Sequence, residues 1–219
     1  MSTNPVRIEH MTIVDVEPQE VVVDTVEALM LSRDPRKAET GIALAAELGA
    51  RAIVAINIAT VDDAAAAGQL AELCALANGY GLLVCLEPIS IGATRTPADG
   101  LRILRQSGAT NARLAIDLLH VVRTGTSLAD VAVIEPGLFG SAQLCDGPMQ
   151  IAQPELIEDA SASRMEPGRG GFPVREFLRL IPAWVPVRLD VPQRALRDLR
   201  APHIEKPPYP RNANVTRTA

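Results

Sequence analysis

Four apolar runs in this chain each close on a side chain that carries a metal-compatible oxygen: LLVCLEP at Glu87, RLAIDLLH at Asp117, FGSAQLCDG at Gln143 and VPVRLDVP at Asp190. Short runs that are apolar throughout are what a parallel sheet covered on both faces requires of its strands. A parallel barrel gathers the carboxyl ends of its strands at one face, so residues distant in sequence can converge on one cation there. The chain is therefore readable as a metal enzyme.

Helix-like segments separate these runs. Residues 62–79 open on Asp62 and Asp63, carry Leu70, Leu73, Cys74 and Ala77 on one face, and end at Gly79 and Gly81. Thr96, Pro97 and Asp99 form a capping-box pattern for a helix to about residue 106 that Gly108 ends. Shorter helices are expected over 127–134 and from Pro173 to Ile181, with a long polar loop at 146–171 between the last two runs. Toward the N-terminus, 11–15 (MTIVD) reads as a strand, 19–31 as a helix on the spacing of Val22, Val26, Leu29 and Met30, 36–48 as a second helix, and 52–57 as the next strand. Two helices are thus expected between the first two strands.

Such alternation defines an α/β fold with a parallel sheet. No GxGxxG follows the first strand, and oxygen ligands at successive strand ends favour a TIM-type barrel over a doubly wound sheet. About six parallel strands are expected where a closed barrel has eight. One domain over 1–200 and a Pro-rich, disordered tail over 201–219 complete the expected organisation.

Composition narrows the partners. An apolar fraction of 47% over 219 residues supports a substantial core. The 26 acidic residues against 21 basic ones, with no basic stripe, argue against nucleic acid and for a small polar substrate. Cys74, Cys85 and Cys145 sit in apolar segments without CxxC spacing, as reduced thiols do, which suits a cytoplasmic protein. No leader pattern and no charge-free segment of roughly 18 to 20 apolar residues is present, so neither export nor a membrane anchor is expected.

The candidate ligands Glu87, Asp117, Gln143 and Asp190 are all oxygen donors, which points to Mn²⁺ or Mg²⁺. His120, three residues after Asp117, is placed either to move a proton beside a carbonyl or to hydrogen-bond a carboxylate. Arg164, and Arg169 after it, could grip a substrate carboxylate or phosphate through the planar fork. Asp146 could orient Gln143, substrate or an arginine, or serve as a turn residue before Gly147. His10, ahead of the first strand, is expected at the opposite face in a structural role, and His203 in the tail.

Through LEP at Glu87, DLLH from Asp117 to His120, AQLCDGP around Gln143, R-x-x-PG-x-G at Arg164 to Gly170 and LDVP at Asp190, the chain resembles the xylose isomerase-like TIM-barrel superfamily. This group contains sugar phosphate isomerases and epimerases and AP endonuclease family 2, and the resemblance spans roughly residues 7–191. It implies metal ligands at Glu87, Asp117, Gln143 and Asp190 and catalytic roles for His120 and Glu87. Gln143 is similar to the 3-dehydroshikimate dehydratase branch, where the matching histidine resembles a catalytic base; in epimerase branches a carboxylate pair usually does that work. Asp190 departs from the usual Glu and reaches one methylene less far. With three histidines the trinuclear zinc site of the AP endonuclease relatives cannot be assembled, which makes DNA repair the least expected of the family's functions.

The family's second and third strands are missing from this reading, which implies an open barrel whose edge a second copy of the chain could cover. The resemblance implies a divalent-metal-dependent isomerase or epimerase acting on a sugar or cyclic keto acid by proton transfer beside a chelated carbonyl. The alternatives are a dehydratase-like lyase and a shortened barrel that binds without catalysis.

Overall fold

The computed structural model describes residues 10–17, 20–32, 34 and 36–194. Seven strands lie side by side in chain order: β1 (His10–Glu17), β2 (Glu20–Met30), β3 (Ala52–Ile56), β4 (Leu83–Glu87), β5 (Ala112–Asp117), β6 (Phe139–Leu144) and β7 (Val187–Leu189). β1 runs antiparallel to β2, and β2 to β7 are mutually parallel. The six parallel strands curl into a half-barrel backed by helices, an incomplete TIM barrel. The tail at 201–219, with His203, lies outside the described residues, as does the side chain of His10.

The helices are α1 (Arg36–Glu47), α2 (Asp63–Asn78), α3 (Pro97–Ser107), α4 (Leu118–Arg123), α5 (Leu128–Ala132), α6 (Leu156–Ala162) and α7 (Val174–Leu178). Asp62 caps α2, and Thr96 and Asp99 form the expected capping box on α3, which ends on left-handed Gly108 at φ 65°. No helix among the described residues is long and apolar enough to cross a membrane.

The helix expected over 19–31 is instead the strand β2. VVVDTVEALM is dominated by β-branched residues, which favour extended backbone. Both faces of the strand are covered, so Val23, Thr25 and Val26 are all buried and the run shows no clean alternation; the three- and four-residue spacing of its apolar side chains is incidental. One helix, α1, therefore separates β2 from β3. β3 is consequently not an edge: Thr25 aligns with Ala52 and Val26 with Ile53, and β4 pairs on the other side. The long loop at 146–171 also differs from expectation in holding α6.

Side chains alternate between two environments. Ile53, Val84, Leu86, Leu114, Ile116 and Ala142 face the helices and join Ile42, Leu70, Ile103 and Phe177 in the main core. The intervening Ala52, Val54, Cys85 and Ala115 form a small cluster inside the curl. Glu87 follows Cys85 by two residues and Asp117 follows Ala115 by two, so the period of the strand directs both carboxylates inward.

Candidate metal centre

Glu87 and Asp117 are the last residues of the adjacent strands β4 and β5, and Asp117 is also the N-cap of α4, its Oδ1 accepting the Leu119 N–H at 2.8 Å. That cap turns the chain into a helix at once and brings His120 back over the strand end. Glu87, Asp117 and His120 each offer an atom within 4.8 Å of the others, and all three are buried. His120 Nε2 stands 3.7 Å from Glu87 Oε1 and 3.8 Å from Asp117 Oδ2.

The other ring nitrogen fixes the tautomer. His120 Nδ1 accepts the backbone N–H of Ser90 at 3.2 Å, with the Ser90 hydroxyl at 3.1 Å. A backbone N–H can only donate, so in the neutral ring the proton sits on Nε2 and faces the carboxylates. Burial pushes the His120 pKa down to about 4, although Asp117 pulls the other way. Glu87 moves in the opposite direction: burial first, then the charges of Asp117 and Glu27, hold its pKa well above the usual carboxylate value, with Arg164 opposing.

Arg164 is buried, and its Nη1 lies 2.6 Å from Asp117 Oδ2 and 2.6 Å from Asp190 Oδ2. Its Nε donates to the Ala160 carbonyl at 2.9 Å. Burial works against the Arg164 charge, but Asp117 and Asp190 outweigh it and raise its pKa. The residue expected to reach for substrate is here the clamp between two of the expected metal ligands, one at the end of β5 and one just past β7.

Gln143, register partner of Asp117, belongs to a second polar group. Its Nε2 donates to both oxygens of Glu27 in β2, at 3.0 and 3.1 Å, while its Oε1 is buried with no hydrogen-bond donor among the described residues. Arg188, register partner of Gln143 on β7, pairs with the same Glu27 through Nη1. Glu27 therefore ties the first parallel strand to the last two across the curl.

Asp146 and Arg169 are placed differently. Asp146 accepts the backbone N–H groups of Gly147, Gly168 and Phe172 at 2.8, 2.9 and 2.8 Å, and its backbone bridges that of Met165. Burial opposes its charge, yet these donors hold its pKa below the ordinary value. The PG-x-G motif closes around it: Gly168 has φ 88°, and a Cβ on Gly170 would stand 2.4 Å from Asp146 Oδ1. Asp146 thus fastens the loop that delivers Arg164. Arg169 is exposed on that loop.

Glu27, Arg188 and Ser90 join the site without being among the residues that the sequence points to. Arg188 had a signal, since it shares the inner side of its strand with Asp190 two residues on.

A model of the xylose isomerase-like TIM barrel matches residues 32–183, and the chain belongs to that family. No protein of curated function matches the sequence. Among solved structures, a xylose isomerase-like TIM barrel/4-hydroxyphenylpyruvate dioxygenase fusion protein is similar at TM-score 0.70 and 19% identity, over 77% of this chain and 30% of that one. The IOLI protein with a bound zinc atom is similar at TM-score 0.67 and 18% identity, over 80% and 69%. D-allulose 3-epimerase from Methylomonas sp. in complex with D-allulose is similar at TM-score 0.58 and 14% identity, over 74% and 59%. The chain thus spans less than two thirds of the fusion protein and of the epimerase. At these identities the likeness is one of fold.

The residues present fit a divalent cation, which the fold family implies. Glu27, Glu87, Asp117 and Asp190 set four carboxylates against the guanidiniums of Arg164 and Arg188, and His120 is neutral. With all four carboxylates ionised, as cation binding would require, the excess of two negative charges is the amount one such ion offsets. Burial is the first cause of the raised Glu87 pKa and the neighbouring carboxylates add to it, while the donorless Gln143 Oε1 is a neutral oxygen of the kind a hard cation takes.

Proposed function

We propose that this chain is a divalent-metal-dependent isomerase or epimerase that moves a proton next to the carbonyl of a sugar or keto acid. The observation that carries this reading is the buried cluster of Glu87, Asp117 and His120 at adjacent strand ends, in a family fold shared with an epimerase that binds D-allulose. Glu87, Asp117 and Gln143 would hold Mn²⁺ or Mg²⁺, with Asp190 supporting them through Arg164. Bound there, the cation supplies Lewis-acid polarisation of a substrate carbonyl.

The proton chemistry is divided between two side chains. His120, with Nδ1 occupied by the Ser90 N–H, presents Nε2–H and donates toward a substrate oxygen. Abstraction then falls to a carboxylate, and Glu87, buried with Oε1 3.7 Å from His120 Nε2, is the candidate. Arg164 holds Asp117 and Asp190 in place through its guanidinium, while Asp146 holds the loop that carries it.

The lyase alternative is favoured by the buried, donorless amide oxygen of Gln143, a residue that resembles the dehydratase branch. A single experiment covers both readings. The chain is incubated with Mn²⁺ in D₂O with D-allulose or with 3-dehydroshikimate, and followed by NMR and ultraviolet absorbance. Deuterium entering beside the carbonyl is the expected result for an isomerase, and a conjugated absorbing product marks the lyase. Neither signal with either substrate class, from a chain that also fails to bind Mn²⁺, would count against the proposal.

A further inference from the structure

We propose that Glu27 is a positioning residue for the metal centre, acting through Gln143; the inference rests on the metal reading above. An amide has two ends, and only the oxygen ligates a hard cation. The two oxygens of Glu27 accept from Gln143 Nε2 at 3.0 and 3.1 Å, and an ionised carboxylate can only accept, so rotating the amide would set oxygen against oxygen. The orientation that remains leaves Oε1 buried and without a donor, the one open position of a side chain that is 1% exposed.

Arg188 completes the device. Its Nη1 pairs with Glu27 and holds that carboxylate against Gln143, while Arg188 Nε and Nη2 are buried without an acceptor among the described residues. A guanidinium that leaves two of its own donors unmet is poorly explained by its own satisfaction and better explained by what it does to Glu27. Glu27 lies in β2, ahead of residues 32–183 that match the family model, so the matched segment carries the ligands and a strand outside it orients one of them. The charge of Glu27 also reaches Glu87, which places both carboxylates in one field.

The test is a Mn²⁺ titration of the full chain by calorimetry, with the Mn²⁺ electron paramagnetic resonance spectrum recorded at saturation. The set is wild type, Glu27→Gln, Gln143→Met and the double variant. Removing an oriented outer partner typically costs about 10- to 100-fold in metal affinity, and that loss is expected for Glu27→Gln together with an altered spectrum. Because Glu27 acts through Gln143, the double variant should bind no more weakly than Gln143→Met alone. Wild-type affinity in Glu27→Gln, or losses that multiply in the double variant, would overturn the proposal. Should Glu27→Gln lack a cooperative melt because Arg188 is stranded, Glu27→Gln/Arg188→Gln removes both charges and carries the same expectation. A wild-type chain that binds no Mn²⁺ defeats the metal reading and this inference with it, whereas binding that ignores Glu27 defeats the inference alone.

Discussion

The two faces of the sheet are built from the same strands, yet they obey different physics. Toward the helices lies a continuous apolar core from Ile42 to Phe177, the kind of burial that contributes about 25 cal/mol per Å². Toward the inside of the curl, Ala52, Val54, Cys85 and Ala115 make only a small apolar patch, and the polar groups beside it are Glu27, Glu87, Asp117, Gln143 and Arg188. Buried ion pairs of this kind add little net stability because desolvation offsets their attraction. The outer face therefore holds the fold, and the inner face spends part of that stability on geometry.

Breaking the outer face should have the largest effect. Phe177→Ala removes a fully buried ring and is expected to cost about 3–5 kcal/mol in chemical denaturation. A loss below about 1 kcal/mol would mean that the helix layer is not the main support.

On the inner face, Arg188→Met strands the Glu27 carboxylate and should cost about 3 kcal/mol, whereas Glu27→Met/Arg188→Met should return close to wild type. Equal destabilisation by single and double variants would show that the pair is held for packing alone.

Titration separates the faces further. His120 has a folded pKa of about 4 against an ordinary 6.5, so the unfolded chain takes up a proton over that interval while the folded chain does not. The contribution is fully present above about pH 6.5 and is lost as pH falls toward 4, up to about 3 kcal/mol. Glu87 acts with the opposite sign, since its raised folded pKa relieves a penalty as pH falls. Melts of the metal-free protein across this range should therefore show an acid-side slope in wild type that is reduced in His120→Gln. Parallel curves would remove His120 as the source.

The smallest effect belongs to the inner apolar patch, where Cys85→Ala should cost about 1 kcal/mol in the same denaturation series. A cost matching that of Phe177→Ala would erase the distinction between the faces.

How much of this the sequence carried depends on where each residue sits. Glu87 and Asp117 were readable because the run ahead of each is apolar and the carboxylate is the first break in it. His120 followed from its spacing to Asp117, although α4 itself was hidden: LLHVVR continues the apolar run of β5 with no intervening signal, and only the Asp117 cap makes the turn. Glu27 was unreadable because β2 is buried on both faces and its side chains also satisfy a helical spacing. The partnership of Arg164 with Asp117 and Asp190 required the fold, since Asp146 and the glycines of its loop bring the guanidinium inward from far along the chain.

The central claim is that the inner face holds one divalent cation at Glu87 and Asp117. Calorimetric titration of Mn²⁺ into wild type, Glu87→Ala and Asp117→Ala, with far-ultraviolet circular dichroism on each, tests it most directly. The account predicts one equivalent bound by wild type, no measurable binding by either variant, and closely similar dichroism for all three. Undiminished Mn²⁺ affinity in both variants would contradict it.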